Sequence, residues 1–151
     1  MPAKEKLVIR RAAWSDVPAI LRIERASFGR DGWERELFRD YLAEPGKCIF
    51  LVAETAAAVA GYIIGSCAQD RAEVDSIAVS PAHRGLGIAT ALMTRLMKLL
   101  RRRGVTTLKL AVRLDNATAI ALYRKLGFTR ERRINGYYED AAPAWRMRVA
   151  L

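Results

Sequence analysis

The stretch from Ala72 to Thr90, Ala-Glu-Val-Asp-Ser-Ile-Ala-Val-Ser-Pro-Ala-His-Arg-Gly-Leu-Gly-Ile-Ala-Thr, constrains this chain more than any other. It reads as a strand, a tight basic turn and the opening of a long helix. From Glu73 to Val79 acidic and branched residues alternate on one side, with Val74 and Ala78 on the other. Pro81 breaks the ladder, and Arg84-Gly85-Leu86-Gly87 makes a turn with no side chain at two positions. A helix beginning there leaves several backbone N–H groups without carbonyl partners. Those donors, the helix dipole and the Arg84 guanidinium form an anion site that suits a pyrophosphate. A glycine-eased bend between strand and helix accounts for the same letters, so the motif by itself leaves both readings open.

The flanking chain supplies the context. Leu7 to Arg11 alternates as an edge strand. Ser15 or Asp16 can cap a first helix, with Pro18 in its first turn and Val17, Ile20, Leu21, Ile23 and Glu24 at helical spacing. Phe28 to Trp33 is a loop, and a second helix, roughly Trp33 to Ala43, stops at Pro45-Gly46. Cys48–Glu54 and Val59–Ala68 read as a hairpin in which Gly61 and Gly65 mark bulges or close packing. The helix from Gly87 to Arg103 buries Ile88, Leu92, Leu96, Leu99 and Leu100, and Gly104 ends it. A strand from Thr106 to Arg113 points Leu108, Leu110 and Val112 one way. A short helix from Ala117 to Leu126 closes on Gly127, and strands near Phe128–Ile134 and Ala144–Val149 finish the order β-α-α-β-β-β-α-β-α-β-β. The expected fold is therefore mixed α/β, a mixed sheet with helices on both faces.

At 151 residues the chain reads as one domain, residues 1–151, able to bury a core without metals or disulfides. Hydrophobic residues make up 52% and charged ones 28%, and no apolar run nears the roughly 20 residues that cross a bilayer. With no apolar signal segment after Met1, the expectation is a cytoplasmic protein that does not engage a membrane. Cys48 and Cys67 lie in strand-like runs without metal-ligand spacing and read as reduced core thiols; no metal is expected. The net charge of +10 is uneven: residues 1–94 hold 12 basic and 12 acidic side chains, whereas residues 95–133 hold 12 basic ones against Asp115 and Glu131. Such a field attracts polyanions, whether cofactor phosphates, an acidic protein or RNA, although a solvated basic surface explains it equally.

A second run, Leu110-Ala-Val-Arg-Leu-Asp-Asn116-Ala-Thr-Ala-Ile-Ala-Leu-Tyr123-Arg-Lys125-Leu-Gly127-Phe128, places Asn116 and Tyr123 two helical turns apart on one face. A capping asparagine and a packed aromatic would give the same pattern. The two runs together resemble the GNAT superfamily of N-acetyltransferases. Arg84, Gly87 and Ala89 fill its acyl-CoA signature R-x-x-G-x-G/A, and the second run is similar to its N-x-x-A-x-x-L-Y-x-x-x-G-F segment. The nearest likeness is to the RimI-like (ribosomal-protein-alanine N-acetyltransferase) branch, across the whole chain after Ala72 and more loosely before it.

The resemblance implies acetyl-CoA as donor and strands four and five that splay apart. Backbone groups of Ile77, Ala78 and Val79 would then face the pantetheine arm, and Arg84, Gly85, Leu86, Gly87, Ile88, Ala89 and Thr90 would hold the pyrophosphate. Asn116, Tyr123 and Lys125 would complete the cofactor site, with Tyr123 as the acid for the departing thiolate. Acyl transfer to nitrogen also needs an uncharged amine. The branch carries a glutamate where this chain has Ala111, so that place is empty, and Glu73 acting through water is the expected base, with Asp75 on the same side of the strand as reserve. Phe28, Trp33, Tyr137 and Tyr138 are the expected acceptor walls. The loop Phe28-Gly-Arg-Asp-Gly-Trp33 departs from the branch's compact turn. The expected acceptor is a peptide N-terminus. A small amine (polyamine, amino acid or antibiotic) and a non-catalytic acyl-CoA- or RNA-binding module are the alternatives. The implied partners also include the ribosome or an acidic protein at the basic 95–133 segment, and the implied state is a monomer or weak homodimer.

Overall fold

The computed structural model describes residues 6–29, 34–56, 58–138 and 140–151, and its elements come in the predicted order. β1 (Leu7–Arg11) leads to α1 (Val17–Phe28) and α2 (Arg35–Ala43), then to β2 (Cys48–Thr55), β3 (Ala58–Ala68) and β4 (Arg71–Val79). α3 (Ile88–Arg102), β5 (Thr107–Arg113), α4 (Ala117–Lys125), β6 (Thr129–Ile134) and β7 (Ala144–Ala150) complete it. The strands make one sheet in the order β1-β2-β3-β4-β5-β7-β6. Every neighbouring pair is antiparallel except β4 and β5, which run parallel.

Two apolar layers sandwich part of this sheet. On one face Leu108, Leu110 and Val112 of β5 pack with Leu92, Leu96 and Leu100 of α3 and with Ile120 and Tyr123 of α4. α3 is amphipathic because Ile88, Leu92, Met93, Leu96, Met97 and Leu100 recur at three- and four-residue spacing. Burial contributes roughly 1.5–3 kcal/mol for each such side chain. Leu99, expected in this stripe, is only partly buried at its edge, and Met93 and Met97 fill the places beside Leu92 and Leu96. On the other face Val17, Ile20, Leu21 and Ile23 of α1 and Phe38 of α2 cover Phe50, Val52, Tyr62, Ile64 and Ala78. Among the described residues nothing from β5, β6 or β7 joins that second cluster. Helix cover on that face stops at β4.

Two irregularities adjust β3 and β4. β3 slips against β2 near Gly61, and β4 slips against β3 so that Ile64 faces Ser76 while Gly65 faces Val74, leaving Asp75 as the extra residue of a bulge. The bulge corrects the expected alternation. Val74 packs in the α3 layer, Asp75 and Ser76 both turn to the α1–α2 side, and beyond them Ile77 and Val79 reach the α3 layer while Ala78 joins the other. Val74 and Ala78 therefore lie on opposite faces. Both glycines also sit at close approaches: a Cβ on Gly61 would lie 2.9 Å from the Ala78 carbonyl oxygen, and one on Gly65 would lie 2.9 Å from Leu96 Cδ1.

The first helix starts differently from the expectation. A short 3-10 turn, Trp14–Asp16, precedes α1, and neither Ser15 nor Asp16 caps it through a side chain. The Asp16 carboxylate is taken by the Ala13 N–H (2.7 Å) and by Arg10 Nη1 (2.8 Å) and Nη2 (2.9 Å), a fork that ties α1 to β1.

Candidate active site

β4 and β5 pair only through Arg71–Thr107, Ala72–Leu108 and Glu73–Lys109. β5 is held along its other edge by β7, from Thr107–Ala150 to Arg113–Ala144, while the Asp75 bulge bends β4 away. The expected splay is present and opens from Glu73 onward. Ile77, Ala78 and Val79 keep β3 as a neighbour and, among the described residues, have no strand on the β5 side. Backbone amides left this way call for an outside partner, and an extended ligand with its own amides satisfies them.

At the exit of β4 the chain turns through Pro81–His83 and Arg84 into α3. Gly85 (φ +78°) and Gly87 (φ +79°) are both left-handed, and a Cβ on either would meet nothing within 4 Å. Glycine is needed there for its φ, and the space before the turn is open to a ligand. Gly87 caps α3 without a side chain, so the first amides of a 15-residue helix face that space. Leu86 and Thr90 are exposed, Ala89 is partly buried, and Ile88 points into the core and offers its N–H alone. The Arg84 guanidinium folds back, donating from Nε to the Val79 carbonyl and from Nη2 to Ser27 Oγ, both at 3.3 Å. The turn is thereby attached to the end of α1. These features fit the pyrophosphate and pantetheine of a CoA thioester.

α4 carries the other expected cofactor residues. Asn116 Oδ1 accepts from the Ala119 N–H at 3.2 Å, so this side chain caps the helix and Lys125 is exposed in the last turn. Tyr123 is 7% exposed and tilts against Phe128, with ring centroids 5.8 Å apart. Its hydroxyl has no hydrogen-bond partner among the described residues. Burial, with a smaller contribution from Tyr138, pushes its pKa up to about 12. The phenol therefore stays protonated at neutral pH and is a donor, not a base.

Glu73 and Asp75 share the side opposite Val74, as expected, but their settings differ. Arg146 of β7 sits beside Ala111 and reaches over that small side chain to Glu73, with Nη1 donating to Oε1 at 2.5 Å. Asp75 accepts from the Tyr41 hydroxyl of α2 at 2.8 Å, and burial raises its pKa. Glu73 is thus the half-exposed carboxylate at the mouth of the gap, and Asp75 is committed to α2. The sequence pattern did not show Arg146. Alternation in Trp145-Arg146-Met147-Arg148 sets the two arginines on one face, yet only the insertion of β7 beside β5 brings Arg146 to Glu73.

Of the expected acceptor residues, Phe28 closes α1 next to Ser27 and hence beside the β4 exit; it is 40% exposed. Tyr137 and Tyr138 lie in the β6–β7 loop with rings 4.9 Å apart, and Arg113, the last residue of β5, stacks over Tyr138 at 4.2 Å. The two aromatic groups thus stand by the C-terminal ends of the two parted strands. Trp33 lies outside the described residues. The 95–133 charges are spread over several elements. Arg101 and Arg102 end α3, Arg124 and Lys125 end α4, and Lys109 and Arg132 belong to the sheet. Cys48 is buried and Cys67 partly so, neither in a disulfide, and burial raises both thiols. No described helix is long and apolar enough to cross a membrane.

Known proteins share this fold. A model of the acetyltransferase (GNAT) family matches residues 17–128. An N-alpha-acetyltransferase of Sulfurisphaera tokodaii is 33% identical over 156 residues, covering 95% of this chain and 92% of its own. The crystal structure of the ribosomal-protein-S18-alanine N-acetyltransferase from Escherichia coli is 30% identical with a TM-score of 0.87, covering 96% of this chain and 94% of that one. The PaiA N-acetyltransferase of Thermoplasma acidophilum, solved with coenzyme A, shares the fold at 18% identity and a TM-score of 0.84, covering 97% of this chain and 99% of its own.

Proposed function

This chain belongs to the acetyltransferase (GNAT) family of acetyl-CoA-dependent N-acetyltransferases, and on that premise we propose that it acetylates the α-amine of a protein N-terminus. The observation that carries the reading is the parted β4–β5 seam, with a glycine turn and helix N-terminus at one end and a protonated tyrosine on the helix that follows β5. An acceptor side left uncovered beyond β4 suits a chain that runs on from its amine better than a small amine needing enclosure. The names of the bacterial and archaeal relatives point the same way. A cytoplasmic setting and a ribosomal-protein acceptor belong to this reading.

Bound acetyl-CoA supplies the acyl group as an activated thioester. The backbone of Ile77, Ala78 and Val79 holds its arm, and the amides from Gly85 to Thr90 hold its diphosphate, with Arg84 bracing the turn. Tyr123 donates a proton or hydrogen bond to the departing sulfur. Glu73 takes the ammonium proton through water: Arg146 occupies Oε1, and Oε2 keeps lone pairs for that water. Phe28, Tyr137 and Tyr138 flank the amine's approach and help to fix it against the thioester.

The test is CoA-thiol release with N-terminally free peptides. Glu73→Gln should lower kcat about 100-fold with the KM for acetyl-CoA unchanged. Turnover and pH profile identical to the parent would show that Glu73 is not the base.

A further inference from the structure

The sheet face that α1 and α2 leave uncovered carries a charge pattern. Because Leu108, Leu110 and Val112 point into the α3–α4 core, Lys109 and Ala111 point the other way. Antiparallel register then puts Arg148 beside Lys109 and Arg146 beside Ala111 on that face, and Arg132 of β6 beside Arg146. Glu131, the extra residue where β6 slips against β7, reaches back across β7 to Lys109 at 2.9 Å. Lys109 first, then Arg148 and Arg132, hold the Glu131 carboxyl below its usual range. Arg132 and Arg148 are exposed and make no ion pair among the described residues.

We infer that this bare face of β5, β7 and β6 binds acidic side chains of the acceptor, roughly at its third to fifth residues. The inference rests on the N-terminal acceptor reading above and names the sequence class that the site selects. The position follows from spacing. Strands lie about 4.8 Å apart, so β7 and β6 are about 10 and 15 Å from Glu73, a span of roughly three to five residues of extended chain. The face is continuous with the reaction site, because the Arg146 guanidinium that pairs with Glu73 belongs to the same column as Arg148. Among its described residues, and apart from the Arg113–Asp140 pair at its end, cations exceed anions, four (Lys109, Arg132, Arg146, Arg148) against two (Glu73, Glu131), which is complementary to an acidic segment. Arg146 and Arg148 are two residues apart on one strand, about 7 Å, the pitch of alternate side chains in an extended peptide. The interleaved Glu73 and Glu131 would repel an uninterrupted phosphate backbone, so a peptide is favoured over RNA.

The experiment uses the full chain and acceptor peptides that share one N-terminal residue and differ only at positions three to five, carrying aspartate and glutamate, serine, or lysine. The expected kcat/KM order is acidic, neutral, basic, with about 10-fold between acidic and neutral at low salt. Arg132→Glu with Arg148→Glu should invert the order, and Arg132→Lys with Arg148→Lys should keep it. The same reversal at Arg101 and Arg102, at the end of α3, should leave the order as it was. Equal turnover of all three peptides overturns the inference. So does an α3 reversal that matches the sheet reversal, because overall charge would then be the cause. Inhibition of neutral-peptide turnover by oligouridylate, relieved by the sheet reversal, overturns it in favour of nucleic acid. Failure to acetylate any peptide refutes the N-terminal acceptor itself, which the equal-turnover result does not.

Discussion

β1 to β4 form an antiparallel unit with helices packed on both faces, while β5, β7 and β6 form a second antiparallel unit with helices on one face only. In the first, near-continuous apolar runs such as Cys48–Ala53 are buried from end to end; in the second, Thr107–Arg113 alternates strictly. The units join through three parallel pairs and then separate. A sheet buried on both sides has no room for a polar substrate. A sheet with one bare face has no enclosed place for a cofactor arm. Reaction chemistry belongs to the seam, where each unit supplies what the other lacks.

Three substitutions, one with a matched control, sharpen or break that contrast. The largest effect is expected at the seam. Tyr123→Phe should cut kcat about 100-fold. Thermal stability should stay within about 0.5 kcal/mol, since the ring packing survives and the hydroxyl has no partner to lose. A loss of stability with kcat intact would make Tyr123 a packing residue and the seam merely structural. The second effect is expected in the doubly covered unit. Gly61→Ala puts a Cβ 2.9 Å from the Ala78 carbonyl oxygen, which cannot rotate away, and should cost about 1–3 kcal/mol by thermal melting. The equivalent change at Gly46, where a Cβ meets nothing within 4 Å, should cost far less.

The smallest effect concerns pH. Hydrogen bonds from Arg10 hold the Asp16 carboxyl below its ordinary range despite burial. A depressed folded value means that this stabilisation is complete above the unfolded value of 3.8 and fades as pH falls through the folded one. Arg10→Gln should therefore cost about 1 kcal/mol at pH 7 and progressively less below about pH 4. Equal loss at both pH values in urea melts would show that the fork does not stabilise the first unit.

Much of the fold could be read from local pattern. Element order, the α3 stripe and the left-handed Gly127 that closes α4 each depend on neighbours within a few residues. The Asp75 bulge could not be read that way. One inserted residue reverses the faces of Ile77, Ala78 and Val79, and only pairing with β3 reveals it. Asp16 illustrates the same limit: a capping residue by position, it was claimed instead by a guanidinium from the preceding strand.

By itself the sequence determined the periodicities and the glycine positions, and with them the turn, the helix N-terminus and the protonated tyrosine's place on α4. These rest on backbone dihedrals and side-chain spacing along one segment. Tertiary structure alone decided that β7 enters between β5 and β6, that Arg146 crosses Ala111 to meet Glu73, and that one half-sheet stays bare. The reason is that strand neighbours are chosen by register and burial across the whole sheet, so contacts between residues 73 positions apart leave no mark in either local pattern.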